Sequence, residues 1–171
     1  MIDFKQYDIA LAKYYNSLDI AVTPVMSWNF HREYLDEVKK IYEDCNKLSV
    51  IASNSKWTEN DWDFKNMLKE EVVIVTDAKL EIVFASHNMT KMNGYIEKEV
   101  IGKSPKMFQG DNSNLTTSSE IRQAIQLQQP FEKTVVNYNK NGEIYICLIK
   151  GFPVFNLKGK LSHFIAFEKA A

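Results

Sequence analysis

The chain has 171 residues, 45% of them hydrophobic, enough to bury one ordinary core with an appendage. Its 21 basic and 22 acidic side chains give a formal net charge of −1, which leaves no electrostatic footprint for nucleic acid. No apolar run reaches the roughly 18 to 20 residues of a membrane span, and the start, Met1-Ile2-Asp3-Phe4-Lys5, lacks the basic-then-apolar order of a signal peptide.

A soluble, cytoplasmic protein with no membrane partner is therefore expected. Phe4, Tyr7, Leu11, Tyr14 and Leu18 recur at three and four, which is one face of a helix. Thr23-Pro24 then supplies an N-cap and a proline at the first helical position. The helix that follows carries Tyr34, Leu35, Val38, Ile41, Tyr42, Cys45 and Leu48 on one face at near-heptad spacing, suited to pairing with another helix. Ser53-Asn54-Ser55 breaks that pattern, and Thr58-x-x-Asp61 is expected to open a short helix containing Trp62, Phe64 and Leu68.

All six glycines lie at or beyond Gly94, and the period changes after Glu71. Residues 1–69 are accordingly read as amphipathic helices for capping or dimerisation, and residues 70–171 as a domain of different architecture. Val72 to Thr76 is a short apolar strand, and Asp77-Ala78-Lys79 turns it into a second, Leu80 to Ala85. Short helices cover about 87–107, and Leu115 to Gln128 reads as one amphipathic helix stopped by Pro130. Two long strands, Phe131 to Asn139 and Glu143 to Phe152, are joined at Asn141-Gly142, expected to be a two-residue type I′ turn. Asn156 to Lys160 leads into a last strand, Leu161 to Glu168. Strand, strand, helices, strand, strand, strand describes an α+β fold with a five-stranded antiparallel sheet and its helices on one face.

The run Phe84-Ala85-Ser86-His87-Asn88-Met89-Thr90-Lys91-Met92-Asn93-Gly94-Tyr95, with Glu99-Val100-Ile101-Gly102-Lys103-Ser104-Pro105-Lys106-Met107-Phe108-Gln109-Gly110 after it, resembles a PAS domain. It looks most like the light-oxygen-voltage (LOV) branch, in which a Gly-x-Asn-Cys-Arg-Phe-Leu-Gln segment carries a cysteine that bonds to a flavin. The resemblance puts Pro105 at the cysteine, Ser104 at the asparagine before it, and Lys106 at the arginine that pairs with the flavin phosphate. It puts Gln109 at the glutamine of that segment, Asn137 and Cys147 at the two flavin-binding asparagines of the hairpin, and Glu168 at the glutamine of the final strand. The cofactor-site candidates are thus Gln109, Asn137, Lys106, Cys147 and Glu168.

Proline has no thiol, so a covalent adduct is impossible at Pro105. A cysteine replaces a two-way amide at Cys147, and an acid stands at Glu168 where a neutral donor and acceptor is wanted. The expected state is therefore a pocket with no cofactor, with non-covalent FMN or FAD as the alternative. Haem-binding relatives take a histidine from the helix spanning Leu115 to Gln128, which has none; His31, His87 and His163 stand elsewhere. Cys45 and Cys147 have no second thiol or histidine at metal spacing, so no metal is expected and both read as buried free thiols.

No nucleophile-and-base arrangement, phosphate loop or paired-carboxylate motif stands out, and no catalytic residue is named. The function expected is a stand-alone PAS sensory or signalling module, not an enzyme. It would act through protein–protein contact without LOV photochemistry, as a homodimer and through a signalling partner. The alternative is a small-molecule or flavin receptor. Strand alternation adds that if Asn137, Cys147 and Glu168 face the pocket, then Val136, Tyr138, Ile146, Leu148, Ile165 and Phe167 form an apolar opposite face that needs a cover.

Overall fold

The structure, a computed structural model, describes residues 24–170 together with Ile9 and Lys13, with side chains from Arg32 onward. The expected helix from Phe4 to Leu18 and the Thr23 cap lie outside the described residues. The chain divides into two compact units at Val38 and Lys39. The elements are α1 (Pro24–Ser55), α2 (Phe64–Glu70), β1 (Val72–Asp77), β2 (Ile82–Ala85), α3 (Met89–Asn93) and α4 (Glu97–Val100). A 3-10 turn (Pro105–Phe108), α5 (Leu115–Gln126), β3 (Phe131–Tyr138), β4 (Ile144–Phe155) and β5 (Leu161–Ala170) complete them. Among the described residues no helix is long and apolar enough to cross a membrane.

The five strands form one antiparallel sheet in the order β2-β1-β5-β4-β3, so the last strand lies at its centre. Each face has its own core. On one, Ile74, Met89, Val100 and Phe108 are buried under the short helices. On the other, Val73, Val75, Ile165 and Phe167 meet Ile41 and Leu48 of α1, Trp57 of the connecting segment and Leu68 of α2. A fully buried side chain of this size stabilises the fold by about 1.5 to 3 kcal/mol, so this second layer is a large part of the domain's stability.

The cover reaches only part of that face. Phe152 and Phe167 pack edge to face beneath Trp62. Toward β3 the layer stops, and Ile144 and Ile146 are left about half exposed, 51% and 49%. The expected α1 stripe is likewise not one buried face. Ile41, Asp44 and Leu48 are buried, whereas Tyr34, Leu35, Val38 and Tyr42 are exposed. Asp44 takes a central inward position because its carboxylate accepts the His87 backbone N–H at 2.8 Å and lies 2.8 Å from His87 Nδ1.

Two local expectations are corrected. The helix after α1 is capped by Asp63, whose carboxylate accepts from Asn66 N–H, and not by Thr58 or Asp61. Thr58 is engaged elsewhere: its N–H and its hydroxyl both donate to the Phe155 carbonyl. The β3–β4 connection is also not type I′. Only Gly142 has positive φ (+83°), Gly142 N–H bonds the Asn139 carbonyl, and Asn139 Oδ1 accepts from Asn141 N–H and Glu143 N–H. The Asn139 side chain closes a longer loop, so a second positive φ is unnecessary.

Candidate functional site

Between the sheet and α5 lies a cavity of about 370 Å3, within the range of small-molecule sites. Ile74 and Phe108, Val135 and Ile149, and Ile121 and Ile125 of α5 give it apolar walls. Its presence explains a peculiarity of α5: the helix has twelve residues and buries none of them. Its apolar side faces a space that the protein's own side chains leave open.

The polar groups divide by depth. Asn137 on β3 and Glu168 on β5 line the cavity and are both 4% exposed, so they form its floor. Thr76 on β1 lines it too, and its buried hydroxyl has no hydrogen-bond partner among the described residues. Ser104, Lys106 and Gln109 from the 3-10 turn and its flanks, with Arg122 and Gln126 from α5, line it as exposed side chains and form the mouth. Pro105 begins the turn and also lines the cavity.

Four of the five sequence candidates, Gln109, Asn137, Lys106 and Glu168, thus share one cavity. Cys147 does not line it. Its Sγ is wholly buried, 3.8 Å from Glu168 Oε2, so it lies behind the acid. Burial, then the neighbouring Glu168, raise the thiol's pKa, and Cys147 is held as a neutral thiol. Burial raises Glu168 in the same way, to about 7 from an ordinary 4.5, with the bond from Cys147 opposing it. Tyr145, bonded by Asn93 at 3.4 Å, is pushed by burial up to about 12.

Among the cavity residues absent from the sequence candidates are Arg122 and Thr76. Arg122 lies on the same side of α5 as Ser118 (i−4), Ile125 (i+3) and Gln126 (i+4), so a helical-wheel reading places this cation on the inward stripe. Thr76 has no such signal, since a threonine at a strand end is also an ordinary strand residue.

The residues that carry the strongest sequence motif serve the frame instead. Ser86 Oγ accepts from Val73 N–H and donates to Asn88 Oδ1, while Asn88 Nδ2 donates to the Leu68 and Glu71 carbonyls. With Asp44 and His87, these bonds fasten α1 and α2 to the end of β2. Gly151 keeps the cavity wall thin at β4: any Cβ there would collide with the Phe131 ring.

The donor set fits a flavin. An apolar slot, a floor with amide, hydroxyl and carboxyl groups, an orphaned threonine hydroxyl and two cations at the mouth suit a flat, mostly apolar ring with polar edges and an anionic tail. Among the described residues no group of three or more histidine, cysteine or acidic side chains is placed to hold a metal ion.

A family model described as PAS domain matches residues 70–169. Protein TWIN LOV 1 of Arabidopsis thaliana is 40% identical over 88 residues, 51% of this chain and 22% of that protein. The blue-light-activated histidine kinase of Brucella ovis is 33% identical over 87 residues, 51% of this chain and 18% of that one. The chain thus spans about a fifth of the length of these curated relatives. A light-oxygen-voltage domain studied with a flavin analogue superposes with a TM-score of 0.60 at 17% identity, over 65% of this chain and 86% of that one, a likeness of fold.

Proposed function

Because the chain belongs to the PAS domain family, with the pattern of its light-oxygen-voltage branch, we propose that it is a sensory module whose cavity takes a flavin non-covalently. This is the alternative raised from the sequence, and the relatives favour it over a pocket without cofactor. The observation that carries it is the cavity between sheet and α5, with the unpaired Thr76 hydroxyl and buried Asn137 and Glu168 on its floor. Lys106 and Arg122 at the mouth take the anionic tail, and Ile121 and Ile125 pack on the ring. A bound flavin supplies absorption of blue light.

The output is read as signalling and not catalysis. The relatives named as blue-light-activated histidine kinases are matched over 18% of their length, and this chain is read as corresponding to a sensing part. A change at Glu168 is relayed through β5, whose reverse face contacts the layer formed by α1 and α2, by population shift of those helices. The half-exposed Ile144 and Ile146 favour contact with a second copy in the same process.

Purified protein mixed with riboflavin 5′-phosphate is expected to quench its fluorescence at one equivalent and to retain the yellow colour through gel filtration. Protein that stays colourless and leaves the fluorescence unchanged at millimolar protein would overturn the reading.

A further inference from the structure

Among the described residues Glu168 is the one acidic side chain on the floor of the cavity, 4% exposed, and its described neighbours leave its charge without compensation. Along the strand pairing it lies opposite Val72 on β1 and Ile149 on β4, neither of which can donate from a side chain. The groups that face it are the Cys147 thiol at 3.8 Å and Tyr145, both on β4, and both are neutral. Asn137, on β3, lines the same floor. Lys106 and Arg122 line the cavity from the turn and from α5, but as exposed side chains at its mouth. Among the described residues no cation therefore meets Glu168 at the floor.

A carboxylate in this position is desolvated by the protein on one side and hydrated only through the cavity on the other. Filling the cavity with a mostly apolar ring removes that remaining water. The ionised form then loses its last solvation, while the neutral acid keeps one O–H donor and one carbonyl acceptor, the same pair of functions an amide offers.

We infer that Glu168 meets the ligand as a neutral carboxylic acid donating to an acceptor on the ligand's inner edge, so that binding above neutral pH takes up one proton. The inference deepens the flavin reading and rests on it. It makes the site proton-coupled: the same ligand concentration fills more of the protein at lower pH, and a ligand edge presenting an acceptor, such as a ring carbonyl, is favoured over one presenting only donors.

Riboflavin, which has no phosphate to titrate, is the probe, with its fluorescence quenching measured from pH 6 to pH 8.5 on wild type and Glu168→Gln. Wild-type affinity is expected to fall about thirtyfold over that range, following an acid that titrates near pH 7, while Glu168→Gln binds with nearly constant affinity. Binding that is equally independent of pH in both proteins, or equally dependent in both, would overturn proton coupling and leave the flavin reading standing. Failure of both proteins to bind at every pH would overturn the flavin reading and this inference with it. A second readout keeps the test independent of the variant's folding. In wild type labelled with 13C at glutamate carboxyls, one carboxyl should titrate near pH 7 and move higher when riboflavin is added; a shift to lower pH on addition would refute the assignment.

Discussion

Trp57 Nε1 donates to His163 Nδ1 across 3.0 Å, joining the segment after α1 to the central strand β5. An indole nitrogen can only donate, so Nδ1 must be the unprotonated nitrogen of a neutral ring. The Ser162 hydroxyl lies 2.8 Å from the same nitrogen, and the Trp57 and His163 ring centroids are 5.4 Å apart with the rings tilted. Protonation would set one donor against another inside the layer that covers the sheet.

This bond gives a stability prediction with a definite sign. Burial lowers the His163 pKa below its ordinary 6.5, with Asp77 opposing. The unfolded chain then binds the proton more readily, so the contribution is complete above about pH 6.5 and is lost as pH falls through the lower folded value. On a Glu168→Gln background, which removes the opposing effect of that buried acid, thermal melts at pH 7.5 and pH 5 should show a lower midpoint at pH 5, and His163→Gln should shrink the difference. An unchanged difference in that variant would refute the assignment.

Glu168 acts in the opposite sense. Its folded pKa, about 7, lies above 4.5, so the folded state holds the proton more tightly and stability falls as pH rises between those values. In ligand-free protein Glu168→Gln should be more stable than wild type at pH 8 by up to about 3 kcal/mol and equal to it near pH 4. Denaturant titrations at the two pH values check both points.

The cations at the mouth separate tail from ring. Lys106→Ala and Arg122→Ala should each weaken riboflavin 5′-phosphate about tenfold, the scale of one charge-assisted hydrogen bond, and leave riboflavin nearly unchanged. Equal losses for both compounds would mean that these side chains shape the slot instead of holding the phosphate.

Much of this was legible in the sequence because the signals were local. Apolar alternation fixed the five strands, and the motif spacing brought Gln109, Lys106, Asn137 and Glu168 to one cavity. What was not legible depends on partners distant in the chain. Asp44 looks like a solvated helix residue until His87 arrives to meet it, and Thr58 looks like a cap until Phe155 takes its hydroxyl. By residue type Glu168 is an obstacle to a neutral ring edge, but burial raises its pKa to about 7, so the neutral acid predominates below that pH, a property of three-dimensional surroundings and not of residue type.

Illumination of flavin-loaded protein should give no covalent adduct. Pro105, which the resemblance matches to the family's cysteine, lines the cavity, and among the described residues no thiol lines it: Cys147 is buried behind Glu168 and Cys45 lies on α1. The flavin absorption band should therefore keep its amplitude under anaerobic blue light without an added reductant. Reversible bleaching that disappears in Cys147→Ser would show that the buried thiol can reach the ring.

The outer face of the sheet carries the last prediction. Ile41, Leu48 and Trp57 cover Val73, Val75, Ile165 and Phe167, so a truncation beginning at Asp63 strips three buried side chains from that core. At about 2 to 5 kcal/mol for each large side chain lost, the shortened chain should fall below its stability threshold and aggregate. Ile146→Glu tests the part that the helices leave bare. With Ile146 about half exposed, a charge there costs the monomer little, whereas it would bury an unpaired carboxylate between two copies. Multi-angle light scattering should give a dimer mass for wild type and a monomer mass for Ile146→Glu, with melting at high dilution nearly unchanged. A wild type and variant of identical mass at every concentration would remove β4 from any interface between copies.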